Sequence, residues 1–158
     1  KPGITVKEAN QLHYRTLTTK IHSLHKGSYQ VQEITPGGSV SIETELDMAL
    51  GKTDIISGAS VSTKGKLPEI AFSVKIKYSL FNEMLGTQQK TKVDPLKLSE
   101  TIMLSINTGV TIGLIKKLTK DEAELTLRIP IVPFKAENVG LARNVNNHWR
   151  LIGYGEII

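Results

Sequence analysis

The sequence contains no cysteine in its 158 residues. That absence removes disulfide frameworks, cysteine-based zinc sites and thiol nucleophiles together. A secreted module this small would commonly carry disulfides, so the cytoplasm is the expected location. No apolar run approaches the roughly 20 residues needed to cross a bilayer, so no membrane partner is expected. Aromatic residues make up 5% of the chain, with one Trp, Trp149, which suits a core or inter-domain anchor better than a base-stacking platform. Helical periodicity is missing as well: no segment holds it over three turns, and only Asn82 to Gly86 suggests a single short helical turn.

The signatures of catalysis are equally sparse. Gly51-Lys52-Thr53 imitates the tail of a phosphate-binding loop, but Leu46 stands where that loop needs its first glycine. A surface turn between Leu50 and Ile55 is the simpler reading. His22 and His25 are three apart, a spacing that a strand or loop does not converge on one metal. No Gly-x-Ser-x-Gly elbow is present. Asp121 and Glu122 are adjacent in a turn and splay apart, which is not the geometry of an acid/base pair. No sequence feature supports an enzyme, and no cofactor or metal is expected in this chain.

What is present is the alternation of strands. Ile70, Phe72, Val74, Ile76, Tyr78 and Leu80 alternate with small or charged residues, one face apolar and the other wet. Ile102, Leu104 and Ile106 repeat the pattern, as do Val110, Ile112 and Leu114, then Leu125, Leu127, Ile129 and Ile131. Pro130 and Pro133 predict an edge strand, or one that breaks near its end. The apolar runs flanking Thr119-Lys120-Asp121-Glu122 predict a hairpin with a charged tip and Lys–Glu pairs across it. Ile4 to Glu8 and Leu12 to Tyr14 bracket a turn at Ala9-Asn10-Gln11, and Thr35 to Ser39 is a turn before Val40-Ser41-Ile42. Ser62 to Pro68, polar and basic with Gly and Pro, is the expected boundary. It divides the chain into residues 1–66 and 67–158. Many short strands at this spacing predict an all-β protein of two consecutive small β-barrels.

Lys and Arg exceed Asp and Glu by 20 to 15, a formal charge of +5, a modest excess compatible with a nucleic-acid partner. Lys64 and Lys66, Lys75 and Lys77, and Arg143 with Arg150 are groups able to grip phosphates, although each also fits the solvated face of a strand.

His148-Trp149-Arg150-Leu151-Ile152-Gly153-Tyr154-Gly155 resembles the ending of the gamma subunit of the archaeal and eukaryotic translation initiation factor 2. Upstream Leu141-Ala142-Arg143 agrees, and so, in order and spacing, do Thr18 to Leu24, Pro36-Gly37-Gly38, Leu46-Asp47, Lys52-Thr53-Asp54, Gly65 to Pro68, Gly86-Thr87 and Lys92 to Lys97. The resemblance covers essentially the whole chain. It implies a fold of two barrels like domains II and III of elongation factor Tu. Domain II would lack its first strands, because Lys1-Pro2-Gly3 matches a hairpin turn within that barrel, and the GTPase domain that carries GTP and Mg would lie outside the chain. A barrel lacking strands presents open edges. The implied role is delivery of initiator methionyl-tRNA to the small ribosomal subunit in a GTP-dependent manner. The implied partners are the GTPase domain, the alpha and beta subunits, the tRNA and the small subunit. By position, His25, Lys26 and Tyr29 are candidates for alpha-subunit docking. Lys20, His22, Ser41, Ile42 and Glu43 are candidates for the tRNA acceptor end. Met48 stands where relatives often carry Pro, and Glu83 where a basic residue is common. The lysine-rich composition leans toward an archaeal member. The alternatives are an independent RNA-binding β-barrel protein and a barrel of another translational GTPase, and the Trp149-to-Gly153 ending weighs against the latter.

Overall fold

A computed structural model describes every residue except Lys1, Asn10, Pro36, Asp54 and residues 87–89. The expected turns at Ala9-Asn10-Gln11, Pro36 and Gly86-Thr87, and the Lys1-Pro2-Gly3 turn, therefore fall partly outside the described residues. Packing groups Gly3–Ser57 as one unit and Gly58–Ile158 as another. Residues 58–61 go with the second unit because they line a cavity there with the Ile106–Thr111 turn.

Six strands build the second unit: β6 (Ala71–Leu85), β7 (Thr101–Ile106), β8 (Gly109–Leu118), β9 (Glu122–Ile131), β10 (Asn138–Val145) and β11 (His148–Ile157). All pairings are antiparallel, and the order β10-β11-β6-β9-β8-β7 closes on itself as a barrel. Closure removes sheet edges altogether. Ile76, Ile102, Leu104, Ile115, Leu125, Leu141 and Ile152 fill the interior and are essentially inaccessible. The hairpins supply the turn chemistry such a meander needs: Asn146 and Asn147 both adopt positive φ between β10 and β11, the requirement of a two-residue turn that matches strand twist.

Three expectations are corrected here. Asn82–Gly86 is not a helical turn, because β6 runs unbroken to Leu85 and folds back through a Glu83–Lys92 bridge. Val110, Ile112 and Leu114 are the outer face of β8, with Val110 52% exposed, while Thr111, Gly113 and Ile115 point inward. Thr111 tolerates burial because its hydroxyl donates to Ile129 O at 2.7 Å and accepts from Ile129 N at 3.2 Å. Of the two forms expected of β9 the structure takes the second: it lies between β6 and β8 rather than at an edge, and it breaks near its end, Pro130 sitting where the β6–β9 register is broken between Ala71 and Ser73. That same break turns Phe72 outward, 57% exposed. The charged-tip hairpin is as expected, with Thr119 N donating to Glu122 O at 2.8 Å and Lys117 paired to Glu124 at 2.8 Å.

The first unit holds two separate sheets. β1 (Ile4–Glu8) pairs with β2 (Gln11–Arg15). β3 (Ile21–Lys26) lies between β4 (Tyr29–Val31) and β5 (Val40–Thr44). A five-residue helix, α1 (Met48–Lys52), follows, so Gly51-Lys52 closes a helical turn rather than a plain surface turn. Asp47 caps it, accepting from Ala49 N at 2.8 Å. Met48 opens it at a position where Pro would be well suited. Among the described residues, none from Gly3 to Ser57 is buried.

Candidate binding site

All the candidate site residues belong to the β4-β3-β5 sheet or its approach, and strand alternation sorts them. In β3, Ser23 and His25 share one face, while Leu24 and Lys26 share the other. Across the ladders Ser23 stands opposite Glu43, and His25 opposite Gln30 and Ser41. Leu24 stands opposite Val31 and Ile42, and Lys26 opposite Tyr29 and Val40. One face is therefore polar, with Ser23, His25, Gln30, Ser41 and Glu43. The other is apolar, with Leu24, Val31, Val40 and Ile42, and carries Lys26 and Tyr29 at the hairpin end.

The polar face is internally bonded. Ser23 Oγ donates to Glu43 Oε2 at 2.5 Å and lies 3.0 Å from His25 Nε2. His22 and Thr19 meet the segment just beyond β5 instead of its centre. His22 Nε2 lies 3.3 Å from Glu45 Oε1, and Glu45 N donates to Thr19 Oγ1 at 3.1 Å. The two histidines thus take different partners. Acidic side chains recur at the end of β5 and just beyond it, with Glu43, Glu45 and then Asp47 in sequence.

The expected alpha-docking set is divided by this geometry. Lys26 and Tyr29 face each other across the β3–β4 turn, Tyr29 being 79% exposed, whereas His25 points from the opposite side. The expected acceptor-end set divides likewise. Ser41 and Glu43 belong to the polar face, and Ile42, 46% exposed, to the apolar one. Ser23 and Glu45 were missed as members of these networks. The signal was there in the i, i+2 spacing of Ser23 with His25 and of Glu43 with Glu45.

Several basic residues of the barrel unit engage acidic neighbours. Arg143 is no phosphate grip: its guanidinium engages Glu100 at 2.5 and 3.2 Å and the carbonyls of Asp94 and Pro95 at 3.0 and 3.2 Å, with only 14% of its side chain exposed. Lys75 pairs with Glu122 at 2.7 Å, and Lys77 lies between Glu122 and Glu156 in register. Trp149 is half-buried on β11 opposite Asn144 and is not among the core residues. Tyr78 donates to Thr119 O at 3.1 Å. Burial, then the nearby Asp121 charge, push its phenol pKa above the usual tyrosine value.

A closed antiparallel barrel, preceded in the sequence by a unit of open β-sheets, defines an all-β protein. The family described as "Initiation factor eIF2 gamma, C terminal" matches residues 72–157, which span the barrel. The chain belongs to the translation initiation factor 2 gamma family. The translation initiation factor 2 gamma subunit of Pyrococcus horikoshii is 39% identical over 157 residues, 99% of this chain and 38% of that protein. The Pyrococcus furiosus subunit is 40% identical over the same shares, and that of Methanococcus maripaludis 38% identical over 158 residues, 100% of this chain and 38% of its own. The chain thus spans under two-fifths of the length of the curated relatives it matches. No helix among the described residues is long and apolar enough to cross a membrane.

Proposed function

We propose that this chain is the tRNA- and subunit-binding β-barrel part of a translation initiation factor 2 gamma subunit, acting in the cytoplasm. The parent protein delivers initiator methionyl-tRNA to the small ribosomal subunit in a GTP-dependent manner. GTP and Mg belong to a GTPase domain outside these residues, with which this part works. The observation that carries the reading is the match over 99% of the chain to proteins named gamma subunits.

Within that role the β3–β4 hairpin is the alpha-subunit dock, with Lys26 and Tyr29 as its contacts. An exposed Tyr beside a Lys is a common interface anchor, large in area and low in entropy cost. His25 serves from the other face by fixing Ser23 and, through it, the β5 strand. The polar face and the β3 approach then meet the acceptor end. Ser41 and Glu43 suit sugar hydroxyls and base edges, Lys20 and His22 suit phosphate, and Ile42 supports the strand from behind. The beta subunit is the partner of the parent's GTPase domain. Calorimetric titration of the chain with a purified archaeal alpha subunit tests the dock. Tyr29→Ala should weaken binding about tenfold or more, and an unchanged affinity removes the hairpin from the interface.

A further inference from the structure

The three-stranded sheet of the first unit ends on β5, which has a partner on one side only. β3 lies along one edge of Val40–Thr44. Along the other, no strand, bridge or backbone hydrogen bond occurs among the described residues. An open edge is a row of N–H and C=O groups ready to pair with another strand, and proteins blunt such edges by keeping them short or by placing charge, above all Lys, on them. The other open edges of this unit are blunted in that way. β4 has only three residues, β1 carries Lys7 and β2 carries Arg15. β5 has five residues, no Lys and no Pro, and its Val40 and Ile42 are 40% and 46% exposed. Its one charged residue, Glu43, accepts from Ser23 Oγ of its own sheet through Oε2.

This strand is complementary to a second copy of itself. Directly opposed residues of an antiparallel ladder point to the same face. A two-fold axis at Ile42 therefore pairs Val40 with Thr44, Ser41 with Glu43 and Ile42 with Ile42, and all five residues find partners. Each Ser41 hydroxyl stands opposite the other copy's Glu43, whose Oε1 is not used by Ser23. The two Ile42 side chains meet at the axis. The two Glu43 side chains are diagonal neighbours, roughly 7–8 Å apart, and do not oppose each other. No other axis does as well. At Glu43 it would oppose two carboxylates, and at Ser41 it would pair only Val40 to Ile42. Between residues it would set the polar face of one copy beside the apolar face of the other.

We propose that β5 is the contact of an isologous dimer, in which two sheets join edge to edge as one antiparallel sheet of order β4-β3-β5-β5-β3-β4. Main-chain hydrogen bonds carry the contact and both faces of the sheet stay open, so the dimer stands or falls independently of the tRNA and alpha-subunit contacts proposed above. A five-residue ladder is smaller than the ~1,200 Å² lower bound of a standard interface, so the dimer is weak and forms at high concentration.

The test is sedimentation equilibrium of the 158-residue chain from about 10 μM to about 1 mM. A reversible monomer–dimer equilibrium is expected. Ser41→Glu sets carboxylate against carboxylate twice across the axis and should weaken association about threefold or more. Ser41→Lys sets opposite charges there and should strengthen it. Gln30→Glu, on β4 at the far edge of the same sheet, should change it little. Because the chain has no Cys, Ile42→Cys reports the register. Its two Cα atoms would lie ~4.5–5.5 Å apart, within disulfide reach, whereas those of Val40→Cys would be separated by ~14 Å along the strands. Mild oxidation should therefore give a covalent dimer of Ile42→Cys and not of Val40→Cys. A monomer throughout the concentration range would overturn the proposal, as would higher aggregates in place of a dimer. So would equal losses from Ser41→Glu and Ser41→Lys, a loss from Gln30→Glu as large as from Ser41→Glu, or equal cross-linking of the two cysteine variants.

Discussion

Arg143 and Glu100 form a bidentate ion pair that ties β10 to the segment entering β7, and neither side chain is more than 17% exposed. The guanidinium also ties down the carbonyls of Asp94 and Pro95. Removing either charge leaves the other desolvated and unpaired. Arg143→Lys cannot restore the fork. Glu100→Gln should cost about 2–4 kcal/mol in chemical denaturation, between the values for surface and fully buried pairs. A loss under about 0.5 kcal/mol would class the pair with surface salt bridges.

Gly153 sets the closure of the barrel. A Cβ there would meet Ser79 O at 2.3 Å and Leu80 Cα at 3.0 Å, backbone atoms that cannot step aside. The register of β11 on β6 shifts between Leu151 and Gly153, where the Gly153 backbone packs directly on that of Ser79 and Leu80. Gly153→Ala is expected to destabilise by about 3 kcal/mol and to perturb the amide shifts of β6 near Ser79. Native-like shifts with an unchanged melting point would refute the close-approach account.

Tyr78 gives the barrel an alkaline weakness. Its folded pKa is raised, so the folded state holds the phenolic proton more tightly than the unfolded chain does. The resulting stabilisation is complete below the unfolded tyrosine pKa of about 10 and is lost as pH rises through the folded value. Stability should therefore fall above about pH 10 more steeply in the native chain than in Tyr78→Phe. Parallel pH profiles for the two would show that Tyr78 has no part in the decline.

Hydrogen exchange should divide the chain at the unit boundary. The barrel has a buried core and no edges, whereas no described residue from Gly3 to Ser57 is buried. Amides of β6–β11 should exchange at rates set by global unfolding, and those of β3–β5 by local opening that is orders of magnitude faster. Uniform protection across both would contradict this.

The strand architecture was legible because period-2 alternation survives wherever one face is buried, as in Ile102-Leu104 and Leu125-Leu127. It failed where the inside has no room for a large side chain. A Cβ on Gly113 would lie 2.9 Å from Leu125 Cδ2, so small residues took the interior of β8 and the larger ones went outside. The long reach of β6 was not read because Asn82 and Glu83 interrupt the apolar alternation, although Met84 and Val93 of the same hairpin are buried in the core. Candidate site residues could be named from the sequence, but their division between two faces depends on cross-strand register, which hydrogen bonding sets and composition does not. The ending around Trp149 identified the family, and its tightest packing lies at Gly153.

The barrel's chain begins and ends on neighbouring strands: β6 and β11 are paired, and Ile158 N reaches Lys75 O at 3.1 Å. A closed ring of hydrogen bonds has no obligatory first strand. A linker of about five or six residues, spanning the ~17 Å from Ile158 back toward Ala71, could join these ends while a new opening is made between Asn146 and Asn147. The rewired polypeptide would keep every ladder and change only the order in which the strands leave the ribosome.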